Sequence, residues 1–195
     1  MTTILDYGMG NLRSVEKAIE ALDAPVRIAT EIGDAERLIL PGVGAFGAAM
    51  ARLNPLREEI QAFAGSGRPL LGICLGQQLL FERSEEFGNH EGLGLLGGSV
   101  KYLPSGPDRK IPLIGWSEVQ IADDVLGQGI RPSDQFYFVH SLYTDAADPA
   151  DVAMTAEYGV TFPAAVRRHN IWGMQFHPEK SGDAGLRLLR NFLQS

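Results

Sequence analysis

The sequence contains a single cysteine, so no disulfide can form within the chain. It also lacks long apolar runs, since no window approaches the roughly 18 uninterrupted apolar residues of a transmembrane helix. Positive charge is scarce: 17 Lys and Arg stand against 24 Asp and Glu, for a formal net charge of -7. The N-terminal stretch MTTILDYGMGN has neither the basic nor the apolar part of a secretion signal. These absences predict a cytoplasmic protein whose partners include no nucleic acid and no membrane.

The first half of the chain alternates between short apolar segments and amphipathic ones. At 195 residues, with 45% hydrophobic residues, we expect one globular domain over residues 1–195. TTILDY, PVRIAT, RLILPG and PLLGIC have the length and apolar character of strands. The segment after GMGN, PLREEIQAFAGSG and LGQQLLFERSEE have helical patterns. Such alternation predicts a parallel sheet with helices on both faces.

The second half is mostly strand-like. SVKYL, LIGWSEV, FYFVHSLY, VAMTAEY, PAAVRRHN and IWGMQF follow one another with short turns between them, and GDAGLRLLRNFLQ closes the chain as a helix. We therefore expect hairpins that add antiparallel strands to the parallel core. The predicted fold class is α/β, with three α/β/α layers around a mixed, mainly parallel central sheet.

The only cysteine, Cys74, lies between Gly72 and Gly76 where an apolar strand meets a helical pattern. A strand that runs through Gly-x-Cys-x-Gly into a helix is typical of a nucleophile elbow, in which a sharp turn exposes the nucleophile. The glycines permit close packing around such a turn, and the N-terminus of the following helix favours a thiolate. A buried structural cysteine is the alternative for a lone thiol in an apolar segment.

A thiol nucleophile needs a base and a group that orients the base, so the four histidines are the next candidates. His90 and His169 lie in polar contexts typical of solvated histidines, and His140 lies on a strand where a packed, hydrogen-bonded role is common. His177 is different, because it ends an apolar strand and Glu179 follows two residues later. In extended chain this spacing places both side chains on one side. Cys74, His177 and Glu179 form a candidate triad for acyl transfer, although His-Pro-Glu could also be an incidental turn.

Acyl transfer also requires donors for the oxyanion, and a glycine-rich loop in LILPGVGAFG directly follows a predicted strand. Backbone N–H groups around Gly42 and Val43, together with that of Leu75 after the nucleophile, could form this hole. The loop lacks the Gly-Lys-Ser/Thr ending of a phosphate-binding loop.

Together, LPGVGAFG, GICLGQQLLFERSEE and GMQFHPEKSG resemble the class I glutamine amidotransferases, whose glutaminases use a Cys-His-Glu triad. DYGMGNLRSVEKAIE, IGWSEV, YFVHSLY and HPEKSGDAGLRLLRNF narrow the resemblance to the glutaminase subunits of imidazole glycerol phosphate synthases, over about residues 4–193. Ile114 and Ser117 depart from the commoner MGWN form of one motif. The resemblance implies a flavodoxin-like fold, no cofactor and no metal.

The resemblance also assigns roles to individual residues. It implies that Gln78, with the backbones of Gly44 and Ser141, holds L-glutamine, and that ammonia passes to a (β/α)₈ cyclase subunit in a heterodimer. The surface that it implies for this partner contains Met9 to Ser14, with Asn11 among them, and Trp116, Tyr137 and Lys180. Three alternatives remain open from the residues: an amidotransferase subunit for anthranilate, aminodeoxychorismate or purine synthesis, a regulatory protein without turnover, and a thiol hydrolase of another amide or ester.

Overall fold

The computed structural model describes residues 1–106, 109–122 and 125–195. Its α-helices in these ranges are α1 (Leu12–Glu20), α2 (Phe46–Leu53), α3 (Arg57–Gly65), α4 (Leu75–Leu79) and α5 (Gly182–Leu193). Its strands are β1 (Thr2–Leu5), β2 (Val26–Ala29), β3 (Arg37–Gly42), β4 (Leu70–Cys74), β5 (Phe81–Ser84), β6 (His90–Glu91), β7 (Leu96–Tyr102), β8 (Leu113–Glu118), β9 (Gln120–Ile121), β10 (Gln135–His140), β11 (Leu142–Ala146), β12 (Val152–Glu157), β13 (Thr161–Arg168) and β14 (Ile171–Met174). None of the described helices combines the length and apolar character that a membrane crossing needs.

An eight-stranded mixed sheet organises the fold. Its strand order is β2-β1-β3-β4-β14-β13-β12-β9. The first five strands in this order, β2, β1, β3, β4 and β14, run parallel to one another, while β13, β12 and β9 are antiparallel additions. A β10-β8 pair and a four-stranded sheet, β11-β7-β5-β6, complete the second half. The predicted α/β class, with a mainly parallel core and added antiparallel strands, is confirmed.

Two hydrophobic clusters cover the two faces of the large sheet. Successive side chains of a strand point to opposite faces, and β3 and β4 divide accordingly: Ile39 and Leu71 belong to one cluster, Leu38 and Leu70 to the other. The first cluster contains the buried faces of α1 and α5, and the second those of α2, α3 and α4. Because helices pack on both sides, the strands between them are buried and the three-layer prediction is confirmed.

The sequence-based helix over LGQQLLFERSEE is wrong beyond its first turn. Helix α4 ends at Leu79, and Phe81–Ser84 forms β5, which pairs with β6 and β7. The backbone carbonyl of Leu80 accepts hydrogen bonds from the N–H groups of Leu95 and Leu96, at 2.9 and 3.0 Å. Pairing with distant strands therefore replaced the local helical preference, as tertiary context often does.

Two further elements differ from the expectation. Helix α2 was not predicted, although it directly follows the glycine-rich loop. The segment FYFVHSLY forms two strands, β10 and β11, which separate at Ser141 because they belong to different sheets. This break directs Ser141 and its neighbours toward the carboxyl end of β4, where the candidate nucleophile lies.

Candidate active site

Cys74 occupies the sharp turn that the glycine pattern predicted. Its φ of 55° and ψ of −110° are strained for a residue with a side chain, and α4 begins at the next residue. A Cβ on Gly76 would lie 1.8 Å from the backbone oxygen of Leu40, and one on Gly72 would lie 2.4 Å from the oxygen of Gly76. Only glycine fits at either position, so close packing on both sides holds the turn.

His177 and Glu179 make the predicted contact, but through a different backbone. Strand β14 ends at Met174, and Glu179 lies in a short 3₁₀ turn, Pro178–Lys180. The expected extended His-Pro-Glu segment is therefore wrong, because the chain turns immediately after His177. The turn still carries the Glu179 carboxylate to the ring, where Oε1 accepts a hydrogen bond from Nδ1 of His177 at 2.7 Å. Both side chains are buried, with 3% and 1% exposure.

Opposing effects act on the charge of His177. Burial disfavours the imidazolium, whereas the nearby Cys74 sulfur and then the hydrogen-bonded Glu179 carboxylate favour it, and the net effect raises the pKa of His177 to about 9. Because Nδ1 is engaged by Glu179, the other ring nitrogen, Nε2, is the one available to the Cys74 thiol. The arrangement can therefore hold a proton beside the sulfur at neutral pH.

These groups open into a cavity of about 300 Å³. Besides Cys74 and His177, its lining contains the predicted substrate contacts Gly44, Gln78 and Ser141. Val43 and Leu75, two of the three predicted oxyanion positions, also line it. Gly42 lies directly behind them, since a Cβ on it would be 2.9 Å from the Cβ of Leu75. The structure thus brings the candidate triad, the glycine-rich loop and the predicted substrate contacts to one place, while their roles stay predictions.

His140 also lines this cavity, which the sequence did not indicate. As expected for a strand histidine, it is packed and hydrogen-bonded: its Nδ1 is 2.7 Å from the carbonyl oxygen of Leu142. Burial lowers the pKa of His140 to about 4, so its ring is neutral and donates from Nδ1. His90 and His169 are not among the residues that line the cavity.

Three other residues near the nucleophile were missed. Glu86 lines the cavity, and its carboxylate accepts a hydrogen bond from the N–H of Phe46. Tyr7 donates to the Pro41 carbonyl at 2.6 Å, and burial followed by proximity to Cys74 raises its pKa. Gln175 is fully buried and reaches the sulfur. In the sequence, Gln175 could have been found because it is a polar amide within the apolar segment GMQF, which leads to His177.

Three of the predicted partner residues form a series of contacts that reaches the candidate base. Half-exposed Trp116 packs edge-on against Tyr137, with ring centroids 5.8 Å apart. The Lys180 ammonium is 5.7 Å from the centre of the Tyr137 ring, which in turn lies 6.4 Å from the His177 ring. Aromatic and cationic side chains thus connect the surface to the candidate base.

The remaining predicted partner residues lie on and before α1. Ser14 faces a groove shared with Pro178 and Glu179, and the side chain of Met9 approaches Gly44. Asn11 is exposed immediately before α1. All of the predicted partner residues are at least partly exposed. Among the described residues, no group of three or more His, Cys, Asp and Glu side chains could hold a metal ion.

Residues 3–195 match the family model described as glutamine amidotransferase class-I, and the chain belongs to this family. The chain is 51% identical over 197 residues to "Imidazole glycerol phosphate synthase subunit HisH" of Rhodopirellula baltica, covering 98% of this chain and 96% of the relative. A protein of the same name from Desulfitobacterium hafniense is 50% identical, with 98% and 93% covered. The predicted family resemblance is confirmed.

Solved structures support the same fold. "Structure of PurLQS from Thermotoga maritima" aligns with a TM-score of 0.79 at 20% identity, over 99% of this chain and 97% of that chain. "Crystal structure of glutamine amidotransferase" aligns with a TM-score of 0.77 at 20% identity and the same coverage. The flavodoxin-like architecture expected of the family is thus confirmed for this chain.

Proposed function

We propose that this chain is the glutaminase subunit of an imidazole glycerol phosphate synthase, acting in histidine biosynthesis. The observation that carries the proposal is the single cavity onto which Cys74, the Glu179-bound His177 and the glycine-rich loop converge. The names of the relatives, at about half identity over nearly the whole chain, support this choice over the other amidotransferase pathways. One domain over residues 1–195 and a cytoplasmic location remain part of the proposal.

The proposed reaction begins with the Cys74 thiolate beside protonated His177. The sulfur attacks the carboxamide carbon of L-glutamine, and the resulting oxyanion is held by backbone N–H groups around Val43 and Leu75. When the tetrahedral species collapses, the C–N bond breaks and His177 gives its proton to the departing nitrogen, which leaves as ammonia. A thioester on Cys74 remains.

Hydrolysis completes the cycle. Neutral His177 takes a proton from water, the oxygen attacks the thioester carbon, and the C–S bond breaks to release glutamate and the thiolate. Glu179 keeps Nδ1 of His177 protonated, so that Nε2 faces the sulfur in both steps. The electrons and protons balance without a cofactor.

The proposed partner is a (β/α)₈ cyclase subunit, which receives the ammonia and forms imidazole glycerol phosphate and aminoimidazole carboxamide ribonucleotide. The relatives are named as subunits, which supports a partner of this kind. Direct transfer has a chemical reason, because ammonia in neutral water becomes ammonium and loses its lone pair. We place the contact at Met9, Asn11, Ser14, Trp116, Tyr137 and Lys180.

The glycine-rich loop is the proposed switch. The Gly42–Val43 peptide can turn its N–H toward or away from the oxyanion, so a shift on partner binding would complete the hole only in the complex. We therefore expect low glutaminase activity for the isolated chain and strong stimulation by the cyclase carrying its ligand.

A glutaminase assay with and without the purified cyclase tests the proposal, with Cys74→Ser as the inactive control. We expect glutamate release to require Cys74, and an electrophilic glutamine analogue to label this residue. Complementation of a histidine auxotroph separates the proposal from the other amidotransferase pathways. Full activity of Cys74→Ser, or complementation of a tryptophan, folate or purine auxotroph instead, would overturn it.

A further inference from the structure

The side chain of Gln175 ends at the nucleophile. Gln175 lies between β14 and the 3₁₀ turn, is fully buried, and places its amide nitrogen, Nε2, 3.9 Å from Sγ of Cys74. Its backbone N–H donates to the carbonyl of Ala164 at 2.9 Å, so the main chain is fixed as well. An amide N–H from a segment 101 residues further along the chain is therefore directed at the reacting atom.

The orientation of this amide is set by a second buried glutamine. Oε1 of Gln175 accepts a hydrogen bond from Nε2 of Gln78 at 3.0 Å. Because the oxygen of the Gln175 amide is turned toward Gln78, its nitrogen points the other way, toward the sulfur. Both hydrogens of the Gln78 amide are used, since Nε2 also donates to the carbonyl of Leu142 at 3.1 Å.

The network continues to His140. The neutral ring of His140 donates from Nδ1 to the same Leu142 carbonyl, at 2.7 Å. The Leu142 carbonyl thus links the His140 ring to Gln78, which contacts Gln175, which in turn contacts Cys74. Within this network the amides of Gln78 and Gln175 are held in one orientation, because turning either one over loses a hydrogen bond.

Unlike Gln175, the other polar groups beside Cys74 either give up a proton in the reaction or hydrogen-bond to atoms other than the sulfur. His177 carries a proton that the reaction consumes, and Tyr7 donates its hydroxyl hydrogen to Pro41 instead. His140 and Glu179 contact Leu142 and His177, respectively, and not the sulfur. The Gln175 amide is a fixed neutral donor that keeps its hydrogens throughout, and hydrogen bonds to an anion are stronger than those to its neutral form.

We propose that Gln175 is a further catalytic residue, whose amide N–H donates a hydrogen bond to the Cys74 thiolate and holds the sulfur in line for attack. No bond is made or broken at Gln175. The interaction strengthens as the sulfur becomes anionic, both before attack and when the thioester C–S bond breaks. The proposal rests on the proposed function only in taking Cys74 as the nucleophile.

The single cysteine makes a direct test possible, because alkylation by iodoacetamide reports on Cys74 alone. Gln175→Met removes the donor and retains an unbranched side chain of similar length. Gln77→Met is the matched control: Gln77 is equally buried and adjacent to Gln78, but donates to Thr144 and Pro163. The readout is the midpoint of the alkylation rate against pH.

We expect Gln175→Met to move the alkylation midpoint up by about one pH unit, as loss of a charge-assisted hydrogen bond implies, and Gln77→Met to leave it within a few tenths. Glutaminase kcat should fall about tenfold in Gln175→Met, with little change in KM. An alkylation midpoint of Gln175→Met equal to that of the wild-type protein would overturn the proposal. If Gln175→Met does not fold, the proposal would be overturned by Gln175 side-chain amide resonances that do not respond to pH in the measurement below.

The second measurement needs no substitution at Gln175. In ¹⁵N-labelled wild-type protein, the side-chain amide protons of Gln175 should shift with the same midpoint as alkylation, and this response should vanish in Cys74→Ser. Invariant resonances would reduce Gln175 to a packing role. Neither measurement uses glutamine, so a chain that lacks glutaminase activity but shows the expected shift would refute the proposed function and leave this contact intact.

Discussion

The candidate nucleophile and its base are positioned by two regions built on different principles. Around Cys74 the backbone is strained and the neighbouring glycines leave no room for one additional carbon. Around His177 the backbone is relaxed, with φ of −97° and ψ of 96°, and hydrogen bonds hold it. The His177 N–H donates to the Tyr137 carbonyl at 2.9 Å, and the Ser181 hydroxyl donates to the His177 carbonyl at 2.6 Å.

Because the two regions are held differently, different kinds of substitution should damage them. A region held by close packing does not tolerate added volume, because interiors are packed as densely as crystals. A region held by hydrogen bonds and a buried ion pair depends on charge and protonation instead. Steric substitutions should therefore damage the region around Cys74, the nucleophile side. Changes of charge or pH should damage the region around His177, the histidine side.

The largest effect is expected from one methyl group on the nucleophile side. Gly76→Ala places a Cβ against the backbone of Leu40, which cannot move without disturbing β3, so we expect a loss of more than about 3 kcal/mol in the free energy of unfolding. Gly65→Ala is the control, since its Cβ would meet nothing within 4 Å at the end of α3, and we expect it to be neutral or stabilising by up to about 1 kcal/mol. Denaturant unfolding measures both, and equal values would contradict the steric account.

Removing one charge should affect the histidine side with little loss of fold. Glu179→Gln keeps an oxygen for Nδ1 of His177 but removes the carboxylate, so we expect kcat to fall about 10- to 100-fold and KM to change less. The pKa of His177 should fall, which moves the alkaline limb of the pH–rate profile to lower pH.

Two measurements separate a catalytic from a structural effect of Glu179→Gln. Ammonia-driven synthesis by the complex bypasses the candidate triad and should persist, whereas its loss would show that Glu179 supports folding or assembly. Glu59→Gln, at an exposed position of α3, provides the charge-matched control and should leave both activities unchanged.

The pH dependence of stability should be set by two histidines of one cavity that titrate in opposite directions. The pKa of His140 is lowered to about 4, so its contribution is present above the unfolded value of 6.5 and is lost as pH falls toward 4. The pKa of His177 is raised to about 9, so its contribution is present below 6.5 and is lost as pH rises through 9.

We therefore expect unfolding free energy to be greatest near pH 6.5, with slopes of at most about 1.4 kcal/mol per pH unit on either side. His140→Phe should flatten the acid limb, because the ring that resists protonation is gone. Cys74→Ser should flatten the alkaline limb, since the thiol is a main cause of the raised pKa of His177. A pH profile unaltered by either substitution would exclude these rings as its source.

The smallest effect is expected at the surface contact of the histidine side. Lys180 interacts with the Tyr137 ring and directly follows Glu179, so Lys180→Ala should weaken ligand-stimulated glutaminase activity by a few-fold, in line with about 0.5–1 kcal/mol for an exposed cation–π contact. The isolated chain should remain folded. Lys101→Ala, which removes an exposed lysine paired with Asp145, is the control. Unchanged stimulation together with unchanged affinity for the cyclase would remove Lys180 from the coupling route.

The features that the sequence predicted well are those that local chain geometry encodes. Gly72, Cys74 and Gly76 predicted the sharp turn because the strand, the turn and the helix start are contiguous, and the structure confirms the strained φ at Cys74. The contact between His177 and Glu179 was also predictable, because two residues of spacing allow few arrangements. Even there the backbone was wrong, since the 3₁₀ turn depends on how the chain packs after β14.

The sequence by itself determined the alternating first half, the strained cysteine and the adjacent His–Glu pair, since each depends on residues within a few positions. Only the tertiary structure decided that Phe81–Ser84 is a strand, because its partners lie on distant segments. It also decided that His140 lines the cavity and that Gln175 meets Cys74 across 101 residues of sequence. Such contacts depend on which strands become neighbours, and strand order is set by the packing of the whole sheet.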